Sequence, residues 1–120
     1  MEYEYSPNSL KKKYEDFKWL KKNFNERIAN GMMKFIGAIK DSENAYDLKA
    51  LRQFYMEHKR NNLNEYYSVS LDKKTSKWRL MLQMLDNNNN ILVPTNNEIE
   101  FLKSIKRIRI KEMSEHYDEY

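Results

Sequence analysis

The stretch EYYSVSLDKKTSKWRLMLQMLD, residues 65–86, decides the fold. Its first part has a period of two: Tyr67, Val69 and Leu71 alternate with Tyr66, Ser68 and Ser70. DKKTS reads as a turn. The alternation then resumes, with Trp78, Leu80, Leu82 and Met84 on one side and Arg79, Met81, Gln83 and Leu85 on the other. Two alternating runs around a polar turn make a β-hairpin. Asp86 to Asn90 reads as a second turn, because asparagine tolerates positive φ. Ile91 to Val93 is a short strand that Pro94 stops.

Upstream of the hairpin the period is helical. Ser6-Pro7 is a start signal, with Ser as cap and Pro at the first helical position. Leu10, Tyr14, Phe17, Leu20 and Phe24 then recur at helical spacing, predicting a helix that ends near Asn23 to Asn25. A second helix is expected from about Glu26 to Lys40, with Ile28, Met32, Phe35, Ile36 and Ile39 on one stripe. The short joint between them predicts an antiparallel helical hairpin. Asp41 to Asn44 is a polar break. Leu48, Leu51 and Phe54 suit a short helix or turn, and Tyr55 to Asn64 a loop carrying Glu57, His58, Lys59 and Arg60.

Downstream, Thr95-x-x-Glu98 reads as a capping box before a short helix that turns Ile99, Leu102 and Ile105 inward. The last strand spans about Arg107 to Met113. Ile108 and Ile110 face the core, Arg107, Arg109 and Lys111 point the other way, and Met113 breaks the alternation, which predicts a bulge or the strand's end. The expected fold is α+β: an N-terminal helical hairpin packed on a small, mainly antiparallel sheet. The sheet's second face would show Arg79, Gln83, Arg107, Arg109 and Lys111, polar and cationic.

The totals agree with one domain over residues 1–120, enough chain for a single modest core. With 40% hydrophobic and 13% aromatic residues the chain is not of disordered composition. No run approaches the ~18 apolar residues of a membrane span, no N-terminal stretch reads as a signal peptide, and cysteine is absent. A cytoplasmic protein is expected. The net charge of +4 is mild, but its distribution is not even. KSIKRIRIK, residues 103–111, carries five positive charges and no acid, and an acidic tail follows, with His116 and Tyr117 inside it. A solvated strand face with a solubilising tail would account for that; so would an anionic partner.

The common nucleotide-binding and zinc-protease motifs are missing, and two histidines far apart are poor metal ligands. The remaining groups suit metal-free RNA cleavage, which needs no cofactor. In that reaction the 2′-OH attacks the neighbouring phosphate, a base takes its proton, an acid protonates the leaving 5′ oxygen, and cations hold the charge on the phosphorane. Histidine, with a reference pKa of about 6.5, suits both proton steps. Arginine grips two phosphate oxygens in a planar fork. Tyrosine can stack on a base or position a proton. The candidate catalytic groups are therefore His58, His116, Tyr117 and Arg79, beside the Arg107/Arg109 row. Each has a plain structural alternative: a solvated loop histidine, a cross-sheet ion pair, a frayed end.

Residues 65–86 also resemble the central hairpin of the HigB/RelE/ParE toxin superfamily, Y-Y-S-[IV]-x-L, a turn, then W-R-[LI]. DLKALRQFYMEHKRNNLN resembles the segment those toxins place before the hairpin, and IRIKEMSEHYD their last strand, I-x-I-x-E-[IV]-S-x-H-Y. The similarity covers roughly residues 10–118 and is closest to HigB-like members. It implies a RelE-like fold and the toxin of a type II toxin–antitoxin system, a ribosome-dependent endoribonuclease (mRNA interferase) that cuts translated mRNA in the A site. The implied partners are the ribosome, mRNA and a HigA-like helix-turn-helix antitoxin, with DNA met only through that antitoxin complex. Arg79 matches the arginine of the W-R strand, which in relatives contacts the scissile phosphate region. His116 and Tyr117 match the C-terminal His–Tyr pair of YoeB-like and some HigB-like members, and other HigB proteins end in Asp-Tyr-His, so Asp118 could share a role in mirrored order. His58 matches the loop histidine to within one position, and Lys59 and Arg60 fall where a lysine is common. Two expected glycines are replaced, one by Asn61 or Asn62 and one by Glu65; asparagine can imitate glycine in a left-handed turn. Lys59, Arg60, Arg107, Arg109 and Lys111 are the implied RNA contacts, so association should weaken with salt. Two alternatives stay open: a ParE-like gyrase inhibitor, which shares the scaffold without nuclease chemistry, and an inactive relative that only binds a partner.

Overall fold

A computed structural model describes residues 1–115. His116, Tyr117 and Asp118 lie outside the described residues. The elements run β1 (Glu2–Tyr5), α1 (Leu10–Tyr14), α2 (Phe17–Asn23), α3 (Glu26–Asp41), α4 (Ala45–Lys49), β2 (Glu57–His58), β3 (Tyr67–Val69), β4 (Arg79–Leu85), β5 (Ile91–Leu92), α5 (Glu98–Ser104) and β6 (Arg107–Ser114). The fold is α+β, with helices packed on a mixed six-stranded sheet ordered β1-β6-β4-β3-β2, and β5 paired to β4. The β1–β6 pair is parallel and the other pairs are antiparallel.

The β3–β4 hairpin forms as its alternation requires, with Tyr67 opposite Leu82 and Val69 opposite Leu80. Helix α3 also follows its pattern. Asn25 caps it by accepting from the Ile28 N–H at 2.8 Å, and Ile28, Ala29, Met32, Phe35, Ile36 and Ile39 are buried. Each large side chain on that stripe contributes roughly 1.5–3 kcal/mol by leaving water. The bulge in the last strand is present: between the pairs Leu80–Met113 and Leu82–Ile110, two steps on β4 face three on β6. The Asp86–Asn90 turn closes on the Asp86 carboxylate, which accepts from the N–H groups of Asn88 and Asn90, while Asn89 takes φ 65°.

Several expectations need correcting. The first helix does not start at Ser6-Pro7. The Ser6 N–H is still bonded to the Ile110 carbonyl at 3.0 Å, so the chain leaves the sheet first and the helix begins at Leu10. Nor is it one helix. Asp16 takes an extended conformation and accepts from the Trp19 N–H, an N-cap that restarts the chain as α2. Residues 2–5, for which the sequence pattern predicts no element, form an edge strand on β6. Asn97, not Thr95, caps α5, accepting from the Glu100 N–H at 3.2 Å. That later start buries Leu102 and Ile105 and leaves Ile99 52% exposed rather than inward. Finally, Arg79 and Gln83 are not on an open face: they are 7% and 3% exposed, because β4 is the central strand and its whole length is buried.

Candidate functional site

Residues opposite one another in a sheet share a face, so the register sorts every candidate. One row runs His58–Tyr67–Leu82–Ile110–Tyr5 across the whole sheet. Its last four members belong to the main core, on the side the helices cover. His58 therefore lies on the helix side at the β2 edge. Its ring packs on Tyr67, centroids 5.0 Å apart, and its Nε2 lies 2.6 Å from the Asn64 carbonyl. A carbonyl only accepts, so this Nε2 carries a proton and donates it. His58 belongs to a short strand rather than a loop, and the structure does not bring it to Arg79.

Arg79 lies on the other face, at the start of β4, with Ser114 as its register partner. Its Nη2 donates to the Lys74 carbonyl at 3.0 Å. Four residues along the same face, Gln83 donates to Glu65 Oε1 at 3.3 Å and stands opposite Arg109. Lys59 joins this second group: its N–H bonds the Tyr66 carbonyl at 2.9 Å, and its ammonium lies 3.5 Å from Glu57. Four strand residues span about 13 Å, so Arg79 and the Lys59–Tyr66–Gln83 group occupy opposite ends of the face. The Tyr66 hydroxyl has its pKa raised, first by burial, then by the charge of Glu65 and a hydrogen bond to it, and then by Glu112. Glu65 and Tyr66 are site groups that sequence reasoning passed over; the only cue was their place beside the loop lysine.

The two arginines of β6 are held by β1. Arg107 pairs with Glu2 and donates to Asn89 Oδ1 at 2.9 Å, and Arg109 Nε donates to Glu4 Oε2 at 3.1 Å. The signal was present as matched alternation, Glu-Tyr-Glu-Tyr at residues 2–5 against Arg-Ile-Arg-Ile at 107–110. Lys111 is half-buried at the bulge. Arg60 is exposed and lines an open cavity of about 410 Å³ with Glu57, His58, Lys59, Asn61, Asn62 and Leu63. Asn61 there takes φ 60°, the left-handed conformation that a glycine would otherwise supply. Among the described residues no group of three His, Cys, Asp or Glu side chains is placed to hold a metal ion, and no helix is long and apolar enough to cross a membrane.

The arrangement offers a buried guanidinium at one end of a sheet face and a lysine–tyrosine–carboxylate group at the other. The first can hold a phosphate oxygen, and the second can relay or orient a proton. No family model matches the chain, and no curated protein or solved structure matches it either.

Proposed function

We propose that the chain is a HigB-like toxin of the RelE/ParE superfamily, a ribosome-dependent endoribonuclease whose site lies at the Arg79–Ser114 end of the sheet. One observation carries this reading: Arg79 opens β4 directly opposite Ser114. The sequence brings His116 and Tyr117 two and three positions after that partner. In sequence, the two proton-handling groups of this reading thus follow closely on the register partner of its phosphate-gripping cation. The order of the elements, helices before the hairpin and the basic strand last, supports the same family.

On this reading Arg79 holds the scissile phosphate, His116 moves a proton, and Tyr117 stacks on or orients a base. Lys59, Arg60 and Lys111 contact the RNA backbone. His58 is left out, since its register places it on the helix side. The protein acts in the cytoplasm, its partners are the ribosome, translated mRNA and a helix-turn-helix antitoxin, and it needs no cofactor.

A second reading, an inactive relative that binds a partner, draws on the compensation of Arg107 and Arg109 by Glu2 and Glu4. Mapping mRNA 5′ ends in a translation extract separates the two. Wild-type protein is expected to produce ribosome-dependent cuts in the A-site codon, and His116→Ala/Tyr117→Ala to abolish them. Neither cuts nor inhibition of gyrase supercoiling by the wild type supports the inactive relative, and no cuts alongside inhibited supercoiling assigns the chain to the ParE-like class instead.

A further inference from the structure

A second cationic cavity lies away from the site above. Helix α3, the 3-10 turn Arg52–Phe54 and the turn between β3 and β4 enclose an open cavity of about 410 Å³. Arg27, Asn30 and Lys34 line it from α3, at helical spacings of three, four and seven that put them on one face. Gln53 lines it from the 3-10 turn and Lys73 from the β3–β4 turn, and Phe54 and Leu71 form an apolar floor.

The concavity is built by close packing. A Cβ on Gly31 would come within 1.7 Å of the Leu71 carbonyl oxygen, so only glycine lets α3 approach the end of β3 this closely. That approach puts Lys34 and Lys73 around one space. Neither has an ion-pair partner among the described residues. The side-chain amides of Asn30 and Gln53 make no hydrogen bond there either. Asp72 is the one carboxylate in the lining, and it faces Arg27 at 3.7 Å. Like charges gathered without counter-charges repel one another, and an anion relieves that repulsion.

We propose that this cavity binds the phosphate of a nucleotide. Lys34 and Lys73 hold the phosphate oxygens, Asn30 and Gln53 offer amide donors and acceptors to sugar or base, and the Phe54/Leu71 floor takes the apolar face of the base. The size suits one nucleotide, and few polar groups over an apolar floor is the usual build of a small-ligand site. The nucleotide can be free or one unit of an RNA strand. The site does not depend on the nuclease reading, and it stands if the extract shows no cuts.

The test is an NMR titration of the full chain with AMP, adenosine, inorganic phosphate and a short single-stranded RNA. AMP is expected to shift the Asn30, Lys34 and Lys73 resonances saturably, with adenosine and phosphate each weaker by about tenfold or more, since a charge-assisted hydrogen bond is worth roughly that factor. Lys34→Gln/Lys73→Gln should weaken AMP by about a hundredfold at the same rate per group, while Lys18→Gln, at an exposed position of α2, leaves it unchanged. RNA that competes with AMP for these resonances identifies the strand as the source, and RNA that does not compete identifies the free nucleotide. Two results overturn the proposal: no saturable shift with AMP or RNA, or an affinity that the double lysine variant leaves unchanged. Both lysines are exposed, so unfolding of the variant is a separate and visible outcome, checked by its spectrum before titration.

Discussion

The two faces of this sheet are stabilised by different physics. On the helix side, Tyr5, Tyr67, Leu82 and Ile110 form an unbroken buried row, and the helices cover it with Ile28, Met32, Phe35 and Ile39. On the other side the same strands present Glu4, Arg109 and Gln83 in one row and Glu2 with Arg107 in another, so charge faces opposite charge. The first face gains from every apolar atom taken out of water. The second gains little from its pairs, because partly exposed ion pairs are worth about 0–1 kcal/mol. The comparison teaches where stability and function can be separated. Changes on the helix side should move stability, and changes in the charge pairs of the far side should move binding more than stability.

The largest effect expected on the helix side comes from the chain's only two glycines, both in α3. Gly31→Ala places a Cβ against backbone, which cannot rotate away. A loss of about 3 kcal/mol is expected, the upper part of the usual range for overpacking, read as a lower urea midpoint. Gly37 meets nothing within 4 Å, and Gly37→Ala should gain about 0.5–1 kcal/mol from helix propensity alone. Opposite signs from the same substitution would sharpen the comparison. Equal effects would mean that α3 does not press on the end of β3 as described.

How much of this was legible in sequence depends on the range of the signal. Period two in residues 66–85 and period 3.6 in residues 26–40 are local, and both elements formed where expected. The bulge was legible too, from the broken alternation at Met113. The misses are long-range or competitive. β1 is four residues long and exists because β6, more than a hundred positions away, offers it a register. Ser6-Pro7 lost its role as a helix start because Ser6 is still held by Ile110. Thr95 lost the cap to Asn97, an equally good capping residue two positions nearer the helix. For the site, residue types were legible and sides were not. Assigning a face to His58 requires pairing it through Tyr67 to Leu82, a fact of register that a single strand does not carry.

The next effect separates two tyrosines of the core. The Tyr14 hydroxyl accepts from the Met113 N–H at 2.9 Å, beside the bulge. Tyr14→Phe leaves that buried donor unmatched and should cost about 1–3 kcal/mol near neutral pH. The Tyr67 hydroxyl is buried with no hydrogen-bond partner among the described residues, so Tyr67→Phe should be neutral or gain up to about 1 kcal/mol. Alkaline pH tests the burial of the Tyr67 hydroxyl. Burial raises the Tyr67 pKa well above its ordinary value of 10.0. Below 10.0 both folded and unfolded chains keep the proton, and the contribution is complete. Above it the unfolded chain releases the proton first, so the wild type loses stability as pH rises toward the folded value. Urea midpoints near neutral pH and at about pH 11 should therefore fall less in Tyr67→Phe than in wild type. If Tyr67→Phe costs as much as Tyr14→Phe, the Tyr67 hydroxyl has a hydrogen-bond partner after all, and the helix side is less purely apolar than described.

The smallest effect belongs to the far face and tests its half of the comparison. Arg109 and Glu4 meet at 3.1 Å with side chains 20% and 31% exposed, whereas Arg107 and Glu2 are 30% and 70% exposed. A double-mutant cycle with Arg109→Gln and Glu4→Gln should give a coupling of about 0.5–1 kcal/mol, and the corresponding cycle at Arg107 and Glu2 less, since the more solvated pair is better screened. Both couplings should shrink toward zero in about 1 M salt. A coupling above about 2 kcal/mol that resists salt would make this face a structural one, like its opposite. A small, salt-sensitive coupling leaves the arginines able to exchange a carboxylate for a phosphate at little cost in stability. In that case Glu4→Gln should strengthen RNA association while hardly moving the urea midpoint, because the acid it removes competes with the phosphate for the same guanidinium.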